Sequence, residues 1–163
     1  MKIILPLFLV LLLSACSSKP REQFVFDNEQ ILTDEQEEEL TTLLKEHEKK
    51  TDNEIVLVTT AGWGEHHDIF DYIDNFIEEN RIGKNKNGND IVILYSNQQH
   101  ATVISTGSNI KHVLTDEVGK DIVERLMIPK FNEGNYFEGL YEGSKAVVDF
   151  IEEEKNIVSN SEE

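Results

Sequence analysis

Cysteine is almost absent: Cys16 is the only one in 163 residues, so no internal disulfide can staple the chain. Basic residues are scarce, with 15 Lys and Arg against 32 Asp and Glu and a formal net charge of −17. Such an acid excess argues against nucleic acid as a partner and against charge-driven adhesion to anionic lipid. It suits divalent cations or basic protein surfaces, although solvated helix faces account for most of it. No apolar run reaches the roughly 18–20 residues that a membrane-spanning helix needs. Motifs with a defined chemistry are missing as well: there is no EF-hand loop, HExxH, paired CxxC or P-loop. Ser105, Ser108 and Ser144 have no GxSxG context, which argues against Ser/His/Asp catalysis. The histidines do not cluster. His66-His67 read as a helix start, and His47, His100 and His112 stand alone.

What is present begins with the N-terminus. Met1-Lys2 is a short basic start, and Ile3 to Leu13 is an apolar run too short to span a membrane. Leu13-Ser14-Ala15-Cys16 follows and resembles the bacterial lipobox. That resemblance implies cleavage before Cys16, attachment of a diacylglycerol to its sulfur, and acylation of the new N-terminus. Two or more acyl chains anchor a protein stably where one does not. The chain therefore divides into a lipoprotein signal peptide (1–15), a lipidated tether (16–23), a domain (24–152) and a polar tail (153–163). The expected location is the cell envelope, on a membrane face outside the cytoplasm. Ser17, in place of Asp, points to the outer membrane in a host with two.

The domain reads as alternating strands and helices. Phe24-Val25-Phe26 is a short strand ending at Asp27. Thr33 and Gln36 have capping-box spacing, followed by a Glu-rich helix to about Lys50 with Leu40, Leu43 and Leu44 inward. Glu54–Thr60 is a strand. A second helix runs from about His66 to Arg81, its stripe Ile69, Phe70, Ile73, Phe76 and Ile77 turned to the core. Lys84–Asn89 is a polar loop. Asp90–Ser96 is so uniformly apolar that both its faces are expected to be covered. Asn97–His100 turns the chain into Ala101–Thr106. Thr115 caps a third helix to about Met127 with Val118, Ile122, Leu126 and Met127 inward, and Ile128-Pro129-Lys130-Phe131 ends it. A final helix extends to about Glu154, and the tail beyond Lys155 is expected to fray. Trp63, between two glycines, reads as a loop aromatic closing over the core or as an exposed recognition residue.

Long crossovers between strands predict an α/β/α sandwich with a mixed, mostly parallel sheet. The link from Ser96 to Ala101 is too short for anything but an antiparallel pair. That reversal brings Gly107 to the edge where the Asp90 strand begins, so Asn89, Asp90, Ser108, Asn109 and Asp116 gather there. Carboxylates among Asn side chains and loop carbonyls suit Ca²⁺ or Mg²⁺. The candidate ligands are Asp27, Asp90 and Asp116, with Asn109 beside them. A plain helix cap is the competing reading of Asp116. Asp27 belongs to the opposite edge if its strand runs parallel to Glu54–Thr60, a direction the sequence leaves open.

The order of short motifs resembles the TPM domain family. The matching pieces are Val25-Phe26-Asp27, Ile31-Leu32-Thr33, Asn53–Val58, Arg81-Ile82-Gly83-Lys84, Asn87-Gly88, Gly107, Val113-Leu114-Thr115-Asp116, Ile128-Pro129-Lys130-Phe131 and Gly134-Asn135-Tyr136 with Gly139 and Gly143. The resemblance implies an α/β/α sandwich, export with membrane attachment, divalent-cation binding and, as in plant members, acid phosphatase activity. Asp27 and Asp116 stand at family acidic positions. Arg81 replaces a common Trp, Asn89-Asp90 a usual Asn-Gly, and Gly107-Ser108-Asn109-Ile110 a Gly-Tyr-Gly-Leu-type loop. Three functions remain open: an envelope lipoprotein binding a cation or an envelope protein partner in an accessory role, a metal-dependent acid phosphatase, and a metal-free interaction module.

Overall fold

The computed structural model describes residues 23–83 and 88–161. The expected signal peptide, Cys16 and the loop Lys84–Asn87 lie outside the described residues. Four strands form one sheet in the order β1-β2-β3-β4: β1 Val25–Asp27, β2 Glu54–Thr59, β3 Asp90–Ser96 and β4 Ala101–Thr106. β1, β2 and β3 are parallel, and β4 is antiparallel to β3. All seven residues of β3 are buried, as its continuous apolar run requires.

Alternation along the strands builds two cores. Ile55, Leu57, Ile91, Ile93, Tyr95 and Ile104 face helices α1 (Asp34–Thr51), α3 (Asp116–Ile122) and α5 (Tyr136–Ser161). Val56, Val58, Val92 and Leu94 face α2 (Ile69–Asn80), where Phe26 meets Phe76 edge-on at 4.9 Å. The architecture is the α/β/α sandwich that the spacing of elements predicts. Thr33 and Gln36 close the capping box of α1, each side chain bonding the other's backbone.

Three boundaries differ from the sequence expectation. α2 starts at Ile69, because the Asp68 carboxylate accepts the N–H groups of Phe70 and Asp71 and so caps it. Helix α3 is not ended by Pro129. It passes through a π-helical turn, Val123–Met127, into α4 (Ile128–Asn132), where the proline stands in the first turn and needs no donor. The wider turn places Met127 inward, fully buried, and turns Leu126 out, which corrects the expected inner stripe. The tail is also more regular than expected: α5 continues to Ser161. Lys155 donates to the carbonyls of Lys50 and Thr51, satisfying the last turn of α1 from the side of α5.

His47 stood alone in sequence but joins these same helices. It is fully buried, with Nδ1 3.3 Å from Glu152 Oε1 on α5 and Nε2 3.1 Å from Thr51 Oγ1. Burial pushes its pKa below the ordinary value, the Glu152 contact opposes that, and the charges of Lys50 and Lys155 reinforce it. The folded state therefore binds fewer protons here than the unfolded chain. Its stability is complete above about pH 6.5, the unfolded imidazole value, and falls as pH drops below it. Urea unfolding between pH 7.5 and 5 should show this loss, and His47→Gln should flatten it; an unchanged slope in the variant would contradict the burial argument.

Close approach at the start of β3 gives a second test. A methyl at Gly107 would overlap the Gly88 carbonyl, which is backbone, and the buried Asp90 carboxylate. Gly107→Ala should cost about 1–3 kcal/mol, read from the urea midpoint.

Candidate functional site

The parallel register separates the candidate ligands into two groups. Asp27 pairs with Thr59 at the carboxyl ends of the parallel strands, whereas Asp90 pairs with Glu54 at their amino ends. At about 3.3 Å per residue the two ends of β2 lie roughly 17 Å apart. Ligands of one cation sit about 2.0–2.6 Å from it. Asp27, Asp90 and Asp116 therefore do not form one centre, and among the described residues no three His, Cys, Asp or Glu side chains converge in a metal-holding group.

At the amino edge, Gly83, Gly88, Asp90 and Gly107 pack together as the reversed strand predicts. Gly107 N donates to Asp90 O at 2.8 Å, and Asn109 N to Gly88 O at 3.0 Å. Gly83, at a left-handed φ of 68°, lies against the Asp90 carboxylate, where a side chain would not fit. Asp90 is buried, and burial raises its pKa above the ordinary value against the pull of its own backbone N–H. Asp116 stands apart from it. Its side chain is exposed and paired with Lys111 at 3.1 Å, beside the Thr115 cap of α3. The helix-start reading of Asp116 thus has direct geometric support.

The carboxyl edge is more organised. Asp27 Oδ2 accepts the N–H of Leu32 at 2.8 Å, and Oδ1 accepts the hydroxyl of Thr59. Thr59 Oγ1 in turn accepts the N–H of Glu29 at 3.1 Å. Glu29 Oε2 accepts the N–H of Asn97 at 2.9 Å, and Asn97 Oδ1 accepts the hydroxyl of Tyr95 at 3.1 Å. One chain of hydrogen bonds thereby ties together the loops after β1 and β3 through the last residue of β2. Burial, with Tyr136 and Glu29 nearby, pushes the Tyr95 phenol well above its usual range, so it stays a donor. Its ring packs 4.3 Å from Phe131 and 5.9 Å from Tyr136, bringing the start of α5 to the same edge. This is the side where parallel sheets ordinarily present ligand-binding loops.

Only Asp27 was singled out here from sequence. Glu29, Thr59, Tyr95 and Asn97 carry no motif. The available signal was their place at the ends of adjacent parallel strands, which becomes visible once the direction of β1 is fixed. As donors the set fits a hard cation in kind, with two carboxylates and an amide oxygen. Each carboxylate keeps lone pairs beyond the bonds it accepts.

One arrangement mimics a nucleophile, base and orienting acid: Thr51 Oγ1, His47 and Glu152. Yet Thr51 and His47 are buried, and the Thr51 hydroxyl donates to the His47 carbonyl at 2.9 Å while accepting from Asn53 N at 3.2 Å. It secures the end of α1.

Trp63 lies on the other core, partly buried, with its ring 5.9 Å from Tyr72, in keeping with a loop aromatic that closes over the core. Among the described residues no helix is long and apolar enough to cross a membrane.

Comparison with known proteins agrees with this architecture. The family model of the TPM domain matches residues 25–150. The solution structure of the N-terminal domain of a protein from P. gingivalis is similar at a TM-score of 0.73 and 27% identity, over 82% of this chain and 84% of that one. The BA42 protein from Bizionia argentinensis aligns at 0.65 and 22%, over 76% and 83% of the two chains. The N-terminal domain of cg2496 from Corynebacterium glutamicum aligns at 0.61 and 12%, over 83% and 84%, and shares the fold. No curated protein matches the sequence.

Proposed function

The chain belongs to the TPM domain family, and from that membership we propose that it is an accessory binding domain of the cell envelope, tethered by lipid on Cys16. It takes a divalent cation, Mg²⁺ or Ca²⁺, at the carboxyl edge and engages a partner protein from the membrane surface. The observation that carries the cation reading is the pair Asp27 and Glu29, two residues apart and locked in place by Thr59 and Asn97. Preorganised carboxylates cost little to assemble around an ion. Two protein carboxylates leave most of the coordination sphere to water, a pattern more typical of Mg²⁺ than of Ca²⁺.

Calorimetric titration with each cation tests this reading. Heat of binding and a raised melting temperature at millimolar metal are expected, with loss of both in Glu29→Gln and retention in Asp116→Asn. Binding lost only in Asp116→Asn would move the site to the amino edge. Hydrolysis of a generic phosphoester that is abolished by Asp27→Asn would favour the phosphatase alternative instead.

The tether rests on Leu13-Ser14-Ala15-Cys16 following an apolar start. Cells fed a lipid analogue should label the wild-type chain and leave Cys16→Ala unlabelled. Labelling that persists in the variant would sink the anchor assignment.

A further inference from the structure

Tyr95 stands next to last in β3 and is buried, with 4% of its surface exposed. By register it lies beside Thr59 of β2, and alternation turns both side chains to the face covered by α1 and α5. A buried phenol needs a hydrogen-bond partner. This one donates to Asn97 Oδ1 at 3.1 Å. Asn97 is thereby held at two points, its side chain by Tyr95 and its backbone N–H by Glu29 Oε2 at 2.9 Å. The ring that carries the hydroxyl is fixed in turn by Phe131 of α4 and Tyr136 of α5. Phe131 lies so close to α5 that a Cβ at Gly139 would overlap its ring. A line of direct contacts therefore runs from the backbone of α5, through Phe131 and Tyr95, to Asn97 and Glu29.

The turn after β3 is closed without that line. Gln99 N donates to Ser96 Oγ at 3.2 Å, and His100 N to the Asn97 carbonyl at 3.4 Å. Neither bond touches the Asn97 side chain, whose conformation is what the Tyr95 hydroxyl adds. We infer that Tyr95 is a positioning residue of the carboxyl-edge site: its hydroxyl, aimed by Phe131 and Tyr136, sets the conformation in which Asn97 holds the Glu29 carboxylate ready for a cation. This rests on the cation reading of that site and names the device that keeps it preorganised. Groups that orient a metal ligand from behind are worth about 10–100-fold in affinity.

Tyr95→Phe keeps the ring and removes the hydroxyl alone. In the full chain, in mild detergent and without metal, hydrogen exchange at the Asn97 amide should quicken about fivefold or more. The Thr60 amide, bonded to the Tyr95 carbonyl at 3.0 Å, should keep its rate and serves as the control for β3. Mg²⁺ affinity, read by calorimetry, should fall about tenfold. Asn97→Ala should cost as much, and the double variant no more than either, because both break one link. Phe131→Leu should quicken Asn97 as well, with Thr60 again unchanged. Unaltered exchange at Asn97 in Tyr95→Phe, equal quickening at Thr60, or losses of affinity that multiply in the double variant would each overturn the inference. No heat with Mg²⁺ in the wild type, with Asn97 still quickened in Tyr95→Phe, would sink the cation reading and leave the tie between Tyr95 and Glu29 in place.

Discussion

Every residue of β3 from Asp90 to Ser96 is buried, so this strand needs a strand on each side and a helical layer on each face. Its odd residues go to the core under α1, α3 and α5, and its even residues to the core under α2. A shift of one residue in register would exchange the two sets and expose neither to water, but it would unmatch both cores at once. The parallel pairing of Glu54–Thr59 with Asp90–Tyr95 follows, and with it the direction of every loop that carries a polar side chain.

That direction decides what the molecule can do. Parallel pairing of β1 sends Asp27 to the carboxyl edge, roughly 17 Å from Asp90 by strand rise. The amino edge is spent on packing, with glycines closed over a buried carboxyl whose charged form burial disfavours. The carboxyl edge keeps Asp27 and Glu29 partly exposed and fixed by neighbours. Among the described residues, the arrangement resembling a catalytic triad has its Thr51 and His47 buried between α1 and α5.

Much of this was legible in sequence because it is local. The unbroken apolar run of β3, the capping box at Thr33 and the short Ser96–Ala101 link each specify structure within a few residues. The order of TPM-like pieces extended that to the whole domain. What escaped were features made by distant partners or by a change in helix pitch. His47 and Glu152 are 105 residues apart. The π-helical turn moves Leu126 outward and Met127 inward, a shift that ordinary helical spacing does not encode. The candidate ligands are legible residue by residue, but whether Asp27 joins Asp90 and Asp116 hangs on one strand direction. Glu29, Thr59 and Asn97 carry no motif at all and acquire meaning only at the shared edge.

The separation of the two edges is best tested with a paramagnetic ion. Mn²⁺ broadens the amide signals nearest to it, and it accepts the same oxygen ligands as Mg²⁺. Substoichiometric Mn²⁺ added to the isotope-labelled chain should broaden Glu29, Leu32 and Asn97 first and leave Asn109 and Asp116 sharp. Broadening centred on Asn109 and Asp116, with the carboxyl edge untouched, would contradict the account.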